Sequence, residues 1–252
     1  MGTRKKINME TQAIRPIKFN EWQKPMNILV VLAHPDDPEF FMGGTIGMWA
    51  AQGHKVSYLL LTKGERGVSE AFPDTEALKE VRKREQNNAA KVLGVESVDF
   101  LDHQDGFLEA SVENRAQLVA ELRKRQPDIV VSSDPQTFFH YFYVNHPDHR
   151  AAGLLTIESV FPAAGNAAFY PEQLEAGLKV TKIREVWMSL TVDPNIILDV
   201  SDYWDLRIKA LKEHVSQIGD PSVFEQKWNE RRIMSTESDE LYYEHFRRVI
   251  LS

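Results

Sequence analysis

The chain has 252 residues, 42% of them hydrophobic, and 37 acidic against 30 basic side chains give a net charge of −7. That is apolar material enough for one sizeable core, and an acidic chain with no dense Lys/Arg stripe is not expected to bind nucleic acid. With no cysteine, disulfides, thiolate catalysis and cysteine-held zinc are excluded, so any metal must rest on histidine and carboxylate.

Residues 1–25, with Lys5, Lys6, Arg15, Lys18, Pro16 and Pro25, are polar and aperiodic. They read either as an arm on the surface or on a neighbouring subunit, or as plain disorder, leaving 26–252 as a single domain. No apolar run approaches the roughly 18 residues of a membrane span, and no signal-peptide core is present, so a cytoplasmic protein without membrane insertion is expected. Strand signals recur at 27–33, 55–62, 98–102, 128–134, 185–192 and 195–200. Helical signals fall at 44–52, 74–93, 111–126, 148–161 and 202–218, with Gly53, Gly94 and Pro127 closing or following three of them. A last helix over 237–250 is read from the helical spacing of Leu241, His245 and Val249 or Arg248. The alternation predicts an α/β fold with a mainly parallel sheet and right-handed crossovers. No GxGxxG follows the first strand, so a dinucleotide fingerprint is absent.

Two loops carry the chemistry. Ala33-His34-Pro35-Asp36-Asp37-Pro38-Glu39 follows the apolar run Asn27-Ile28-Leu29-Val30-Val31-Leu32, and Asn145-His146-Pro147-Asp148-His149-Arg150 comes shortly after the run at 128–134. Both leave the carboxyl ends of strands, the edge where parallel sheets bind ligands. A lone His or Asp is usually a capping or surface residue, but two His/Asp-dense loops on one edge are not explained by capping. His34 and Asp37 can grip one divalent metal, and Asp36 between them can point at water. The aromatic stretch 138–144 reads either as a packed loop or as an apolar wall of a substrate pocket.

These motifs, with Gly43-Gly44-Thr45, resemble the LmbE-like, or PIG-L, family of zinc-dependent N-acetyl-sugar deacetylases. The likeness runs from about Asn27 to about Gly219, with Pro38 standing where many members have Glu. It implies a Rossmann-like sheet with helices on both faces and one Zn2+ per chain held by His34, Asp37 and His149. Asp36 is then the general base, and His146 stabilises the oxyanion or protonates the amine, oriented by Asp148. The exchange of His146 and His149 between ligand and acid stays open. Fe2+, Co2+ or Ni2+ also suit a His2Asp set.

By the same resemblance Arg82 contacts sugar hydroxyls, although an exposed pair with Glu85 is an even alternative. Asp105, in the Asp-Gly turn at 105–106, binds a hydroxyl or is a plain turn residue. Glu39 is expected to fix the first loop through backbone N–H groups or to orient a ligating histidine, and His214 to approach the site or a subunit interface. The loop Thr62-Lys63-Gly64-Glu65-Arg66-Gly67 resembles a family loop that lines the pocket. The expected reaction is removal of acetyl from an N-acetylglucosamine-type sugar, a small-molecule substrate, by a protein that can be a homo-oligomer. Three alternatives stand beside it: an amidase on a larger sugar-thiol conjugate, a metal-containing sugar-binding protein without catalysis, and a two-metal phosphoesterase.

Overall fold

The computed structural model describes residues 14–140, 143–235 and 242–251, with side chains of 229–235 left aside. The elements run β1 (Asn27–Leu32), α1 (Asp37–Ala51), β2 (Lys55–Thr62), α2 (Thr75–Leu93), β3 (Ser97–His103) and α3 (Val112–Arg125). There follow β4 (Ile129–Ser133), α4 (Pro147–Glu158), α5 (Pro171–Glu175), β5 (Glu185–Ser189), β6 (Ile196–Asp199), α6 (Trp204–Leu211), α7 (Val215–Ile218), α8 (Pro221–Ser235) and β7 (Tyr243–Ile250). Among the described residues, no helix is long and apolar enough to cross a membrane.

The strands form one seven-stranded sheet in the order β3-β2-β1-β4-β5-β7-β6. Only β7 runs against its neighbours. The mainly parallel sheet expected from the sequence is therefore present, with helices on both sides. Strand β1 is apolar on both faces because both are covered. Its Ile28, Val30 and Leu32 join Met42, Ile46, Trp49, Ala89, Leu93 and Ala210 from α1, α2 and α6. Its Leu29 and Val31 meet Leu118, Leu122, Ala152 and Leu155 from α3 and α4 on the other face.

The chain leaves β1 toward β2 and β3, then returns to place β4 on β1's other side, with Ile28, Leu29 and Val30 paired to Ile129, Val130 and Val131. The gap between the carboxyl ends of β1 and β4 is thus a topological switch point, where open α/β sheets form their ligand crevice. Both His/Asp loops open into it. Helix α4 approaches β4 closely because residue 153 is glycine: a Cβ there would lie 2.0 Å from the Ser133 carbonyl.

Three readings need correction. Residues 243–250 are a strand, not a helix, and the rest of that stretch (237–241, including Leu241) lies outside the described residues. Helix 202–218 is two helices, α6 and α7, broken around His214, which is fully buried. Of the arm at 1–25, residues 1–13 lie outside the described residues, and residues 14–25 are more than a surface tail. Ile17 bridges to Leu198 in β6, and Phe19 is buried against Trp22 and Trp187.

Candidate active site

His34 and Asp37 are brought together by the turn that ends β1. The His34 backbone N–H donates to Asp37 Oδ2 at 2.8 Å, closing the loop upon itself. His149 reaches the same point from the first turn of α4. The three side chains meet with His34 Nδ1 3.3 Å from His149 Nε2, His149 Nε2 3.1 Å from Asp37 Oδ1, and His34 Nδ1 3.5 Å from Asp37 Oδ2. Donor atoms held tetrahedrally around zinc at about 2.0–2.1 Å lie roughly 3.3 Å apart, close to the spacing of the two ring nitrogens and of each from its nearer Asp37 oxygen, Oδ1 for His149 and Oδ2 for His34.

The outer nitrogens fix which lone pairs face inward. His34 Nε2 lies 3.1 Å from Asp105 Oδ1 and 3.3 Å from Asp148 Oδ2, and His149 Nδ1 lies 3.0 Å from Asn145 Oδ1. A ring N–H donated outward to each oxygen leaves His34 Nδ1 and His149 Nε2 as acceptors pointing at each other. At 3.3 Å the two nitrogens either share a proton, with His34 charged, or with both rings neutral turn two lone pairs toward one point where a cation would replace that proton. The surroundings supply the complement. Burial opposes a charge on His34, but Asp37, then Asp105 and Asp148, outweigh it and raise its pKa well above the ordinary value. Burial pushes Asp37 up, yet His149 and His34 pull its carboxyl far below the usual range. Among the described residues, two groups have ligand atoms within 4.8 Å of one another, His34 with His146 and His149, and His34 with Asp105 and Asp148; neither contains Asp37, and the second takes His34 through Nε2 in place of its outward hydrogen bonds. The donor set therefore suits a divalent metal.

Asp36 stands beside the ligand atoms in an unusual backbone state, φ 82° and ψ −27°. Helix α2 holds it there. Arg82 donates to the carbonyls of Gly64 (2.7 Å) and Pro35 (2.6 Å) and pairs with Asp36 Oδ2 at 3.1 Å. One turn on, Gln86 Oε1 accepts the Asp36 N–H at 2.7 Å. Burial raises the Asp36 pKa and the Asp37 charge adds to this, with Arg82 restraining the rise. A carboxylate raised in this way is a better proton acceptor near neutral pH.

His146 is the N-cap of α4. Its Nδ1 accepts the Asp148 backbone N–H at 3.2 Å. The proton of the neutral ring then sits on Nε2, available as a donor. Burial, with the neighbouring His34 and His149, lowers the His146 pKa. Its ring lies 4.8 Å from that of His34 and 5.3 Å from that of His149. The expectation that the Asp148 carboxylate orients His146 is corrected. That carboxylate accepts from Gly106 N (2.7 Å) and Leu108 N (3.2 Å) and faces His34 instead.

Other expected residues also shift. Asp105 turns one oxygen to His34, while the other accepts the Arg66 N–H at 2.8 Å. Glu85 bonds the Ser216 N–H and hydroxyl, so Arg82 is not the partner of an exposed pair. Glu39 touches neither ligating histidine. It is fully buried, with Gln86 Nε2 at 3.0 Å from both of its oxygens, the Tyr58 hydroxyl at 3.3 Å and His214 Nε2 at 3.1 Å. His214 thus belongs to the packing behind the first loop. Lys63 pairs with Asp102 at 2.6 Å, and the Arg66 guanidinium lies over the Phe107 ring.

Gln86, Asn145 and Glu244 were not anticipated. Asn145 stands four before His149 and Gln86 four after Arg82, helical spacings that could have flagged both. Glu244 had no local signal: its carboxylate accepts the N–H groups of Gly44 and Thr45 at 3.0 and 2.7 Å, 200 and 199 residues away. It caps the second part of α1, which is kinked at Met42. The whole constellation opens into a cleft of about 460 Å3, bordered by Phe40, Phe41, Arg66, Gly67, Gly106 and Gln217.

A diacetylchitobiose deacetylase from Thermococcus kodakarensis is 37% identical over 199 residues, covering 79% of this chain and 72% of its own. The solved N,N'-diacetylchitobiose deacetylase from Pyrococcus horikoshii superposes with a TM-score of 0.78 at 33% identity, covering 88% of this chain and 83% of that one. A 4-oxalmesaconate hydratase from Pseudomonas putida is 30% identical, covering 73% of this chain and 71% of its own. The profile of the GlcNAc-PI de-N-acetylase (PIG-L) family matches residues 29–160. With that match over more than half its length, and a fold and switch-point site to go with it, the chain belongs to the PIG-L, or LmbE-like, family.

Proposed function

We propose that this chain is a zinc-dependent amidohydrolase that removes acetyl from the amide nitrogen of an N-acetylglucosamine-type sugar or glycoconjugate. The observation that carries the reading is the convergence of His34 Nδ1, His149 Nε2 and the Asp37 carboxylate at 3.1–3.5 Å, with Asp36 lining the same cleft. His34, Asp37 and His149 would hold a divalent cation, which when bound would supply Lewis acidity toward a carbonyl and lower the pKa of water. Asp36 takes the proton from the attacking water. The Nε2–H of His146 donates a hydrogen bond to the oxygen that gains negative charge, and the proton taken up by Asp36 passes to the departing amine as the C–N bond breaks. Asp105 and Asp148 keep the outer N–H of His34 in place, as Asn145 does for His149. Arg82 steadies the Pro35 carbonyl and the Asp36 carboxylate, a nearer role than contact with sugar hydroxyls.

The two relatives named for diacetylchitobiose support a sugar amide as substrate. The hydratase is the reason to consider a second reaction, addition of water to an unsaturated acid, since one cation and one base serve both. The deciding experiment is acetate release from N-acetylglucosamine, diacetylchitobiose, and glucosaminyl-malate and glucosaminyl-inositol N-acetyl substrates, with metal analysis alongside. Acetate release with about one zinc per chain is expected. One bound metal without acetate from any substrate sinks the deacetylase reading, and absence of bound metal sinks the ligand assignment.

A further inference from the structure

Beside the catalytic cleft lies a second, larger cavity of about 680 Å3. Phe41 borders both. Its ring stands edge-on to His149, centroids 5.1 Å apart, and also walls the larger space. The remaining apolar walls are Phe139 from the segment after β4, Leu190, Val192 and Pro194 between β5 and β6, and Tyr243 from β7. Phe139 and Val192 are 72% and 64% exposed, large apolar side chains standing in water at the mouth. Contiguous apolar surface of this kind marks a place where something binds.

The charges in the cavity are already neutralised within the chain. Arg207 pairs with Glu244 at 3.4 Å and donates from Nε to the Glu39 carbonyl at 2.9 Å. Glu244 is engaged by the backbone of Gly44 and Thr45. Burial lowers the pKa of the two lining histidines, His140 and His245, although Glu244 resists this at His245. Among the described residues that line the cavity, no spare cation remains for a carboxylate or phosphate. Side-chain hydrogen-bonding groups not already paired within the chain are few beside the apolar walls: Thr191, the Tyr243 hydroxyl and the two imidazoles.

We propose that this cavity is an aglycone subsite, which takes a neutral aryl or alkyl group attached to the N-acetyl sugar whose amide lies in the cleft. The assignment rests on the deacetylase reading and narrows its substrate class to uncharged, apolar glycoconjugates. Phe41 is then the divider between the sugar and its substituent, and the exposed edges of Phe139 and Val192 close over the substituent.

The test compares methyl, phenyl and hexyl glycosides of N-acetylglucosamine, diacetylchitobiose and N-acetylglucosaminyl-malate, on the metal-loaded wild type and on Val192→Arg. Calorimetric binding of the same glycosides and sedimentation of both proteins accompany the kinetics. Val192 is exposed, so its replacement leaves the core packing intact. For wild type, KM for the phenyl and hexyl glycosides should fall roughly tenfold or more below the methyl glycoside. Val192→Arg should erase that advantage without changing kcat on the methyl glycoside. Equal KM values across the three glycosides, a preference for diacetylchitobiose or the malate, or an advantage that survives Val192→Arg overturns the subsite. So does a Val192→Arg protein that changes only its oligomeric state, which would assign the groove to a second copy. If no substrate releases acetate, the deacetylase reading fails separately, and calorimetry decides the subsite. Tighter binding of the hexyl than the methyl glycoside, lost in Val192→Arg, would keep it, and equal binding would overturn it.

Discussion

Gln86→Leu isolates the grip that α2 keeps on Asp36. Gln86 Oε1 accepts the Asp36 N–H at 2.7 Å, and its Nε2 sits 3.0 Å from both oxygens of Glu39. Asp36 holds φ 82°, a left-handed state that costs a non-glycine residue roughly 1–2 kcal/mol. Leucine occupies similar space but accepts nothing, so an Asp36 N–H left without a partner costs about 1–3 kcal/mol. Together these oppose the Arg82 contacts that remain on the Pro35 carbonyl and the Asp36 carboxylate, and the turn should relax toward negative φ, moving the Asp36 carboxylate. A displacement on the order of 1 Å at a catalytic group lowers the rate about 100-fold. Steady-state acetate release should therefore show kcat down about 100-fold with KM near wild type. Metal analysis should show the cation retained, and calorimetry a melting temperature lower by about 2–10 °C. A protein that melts earlier yet keeps kcat within about threefold would refute the reasoning and leave Gln86 a packing residue.

Four other outcomes are expected. Asp36→Asn should keep its metal and lose about 10²–10⁴-fold in kcat, and loss of metal on analysis would make Asp36 a ligand. His149→Ala should lower metal content while His146→Ala lowers turnover alone, and metal analysis giving the reverse would exchange their roles. Gly153→Ala should destabilise by about 1–3 kcal/mol or more in denaturant unfolding, because its Cβ meets the Ser133 carbonyl at 2.0 Å; an unchanged midpoint contradicts this. Glu185 is pushed up by burial, but Arg248, then Trp187 and Trp22, hold its pKa below the ordinary value. Its stabilisation is complete above the unfolded value near ~4.3 and is lost as pH falls through the lower folded value. Between about pH 5 and pH 3, wild type should lose stability faster than Glu185→Gln in parallel melts, and equal slopes would remove Glu185 from the account.

Strands β1, β2 and β4 could be read directly because they are largely apolar where both layers cover them, whereas β3, at the sheet edge, was legible only from Val98, Phe100 and Leu101. The switch-point site was legible for the same reason: its loops follow those strands. The strand Tyr243–Ile250 was misread for a physical cause. A spacing of four residues, as in Leu241, His245 and Val249, fits a helix turn but is also a multiple of two, so it fits one face of a strand equally well. The deciding face was the other one, where Glu244 and Phe246 are buried, and its cue, a charged residue facing inward, looked like a solvent position. Helix Pro221–Ser235 went unmarked although Pro221 follows Asp220, whose Oδ1 accepts the Ser222 and Val223 N–H groups at 2.7 and 3.2 Å. The partners of Asp105, Asp148 and Glu39 were not legible. Each carboxylate chooses among donors tens of residues away, and spacing along the chain carries no record of that choice.

The position of β7 between β5 and β6 sets an order of assembly on the ribosome. Among the described residues, strand β6 has no sheet partner but β7, apart from the bridge to Ile17. Residues 243–250 therefore have to emerge before β6 can dock and the Ile17 bridge can close, while Phe19 and Trp22 can already pack on Trp187 and Trp49. The same late strand brings Glu244 to the backbone of Gly44 and Thr45. A nascent chain with β1 to β5 already paired thus carries its histidines and aspartates on an unfinished helix start. A ribosome-bound chain stalled before residue 243 should resist proteolysis around β1 and β4 while remaining cleavable near residue 44.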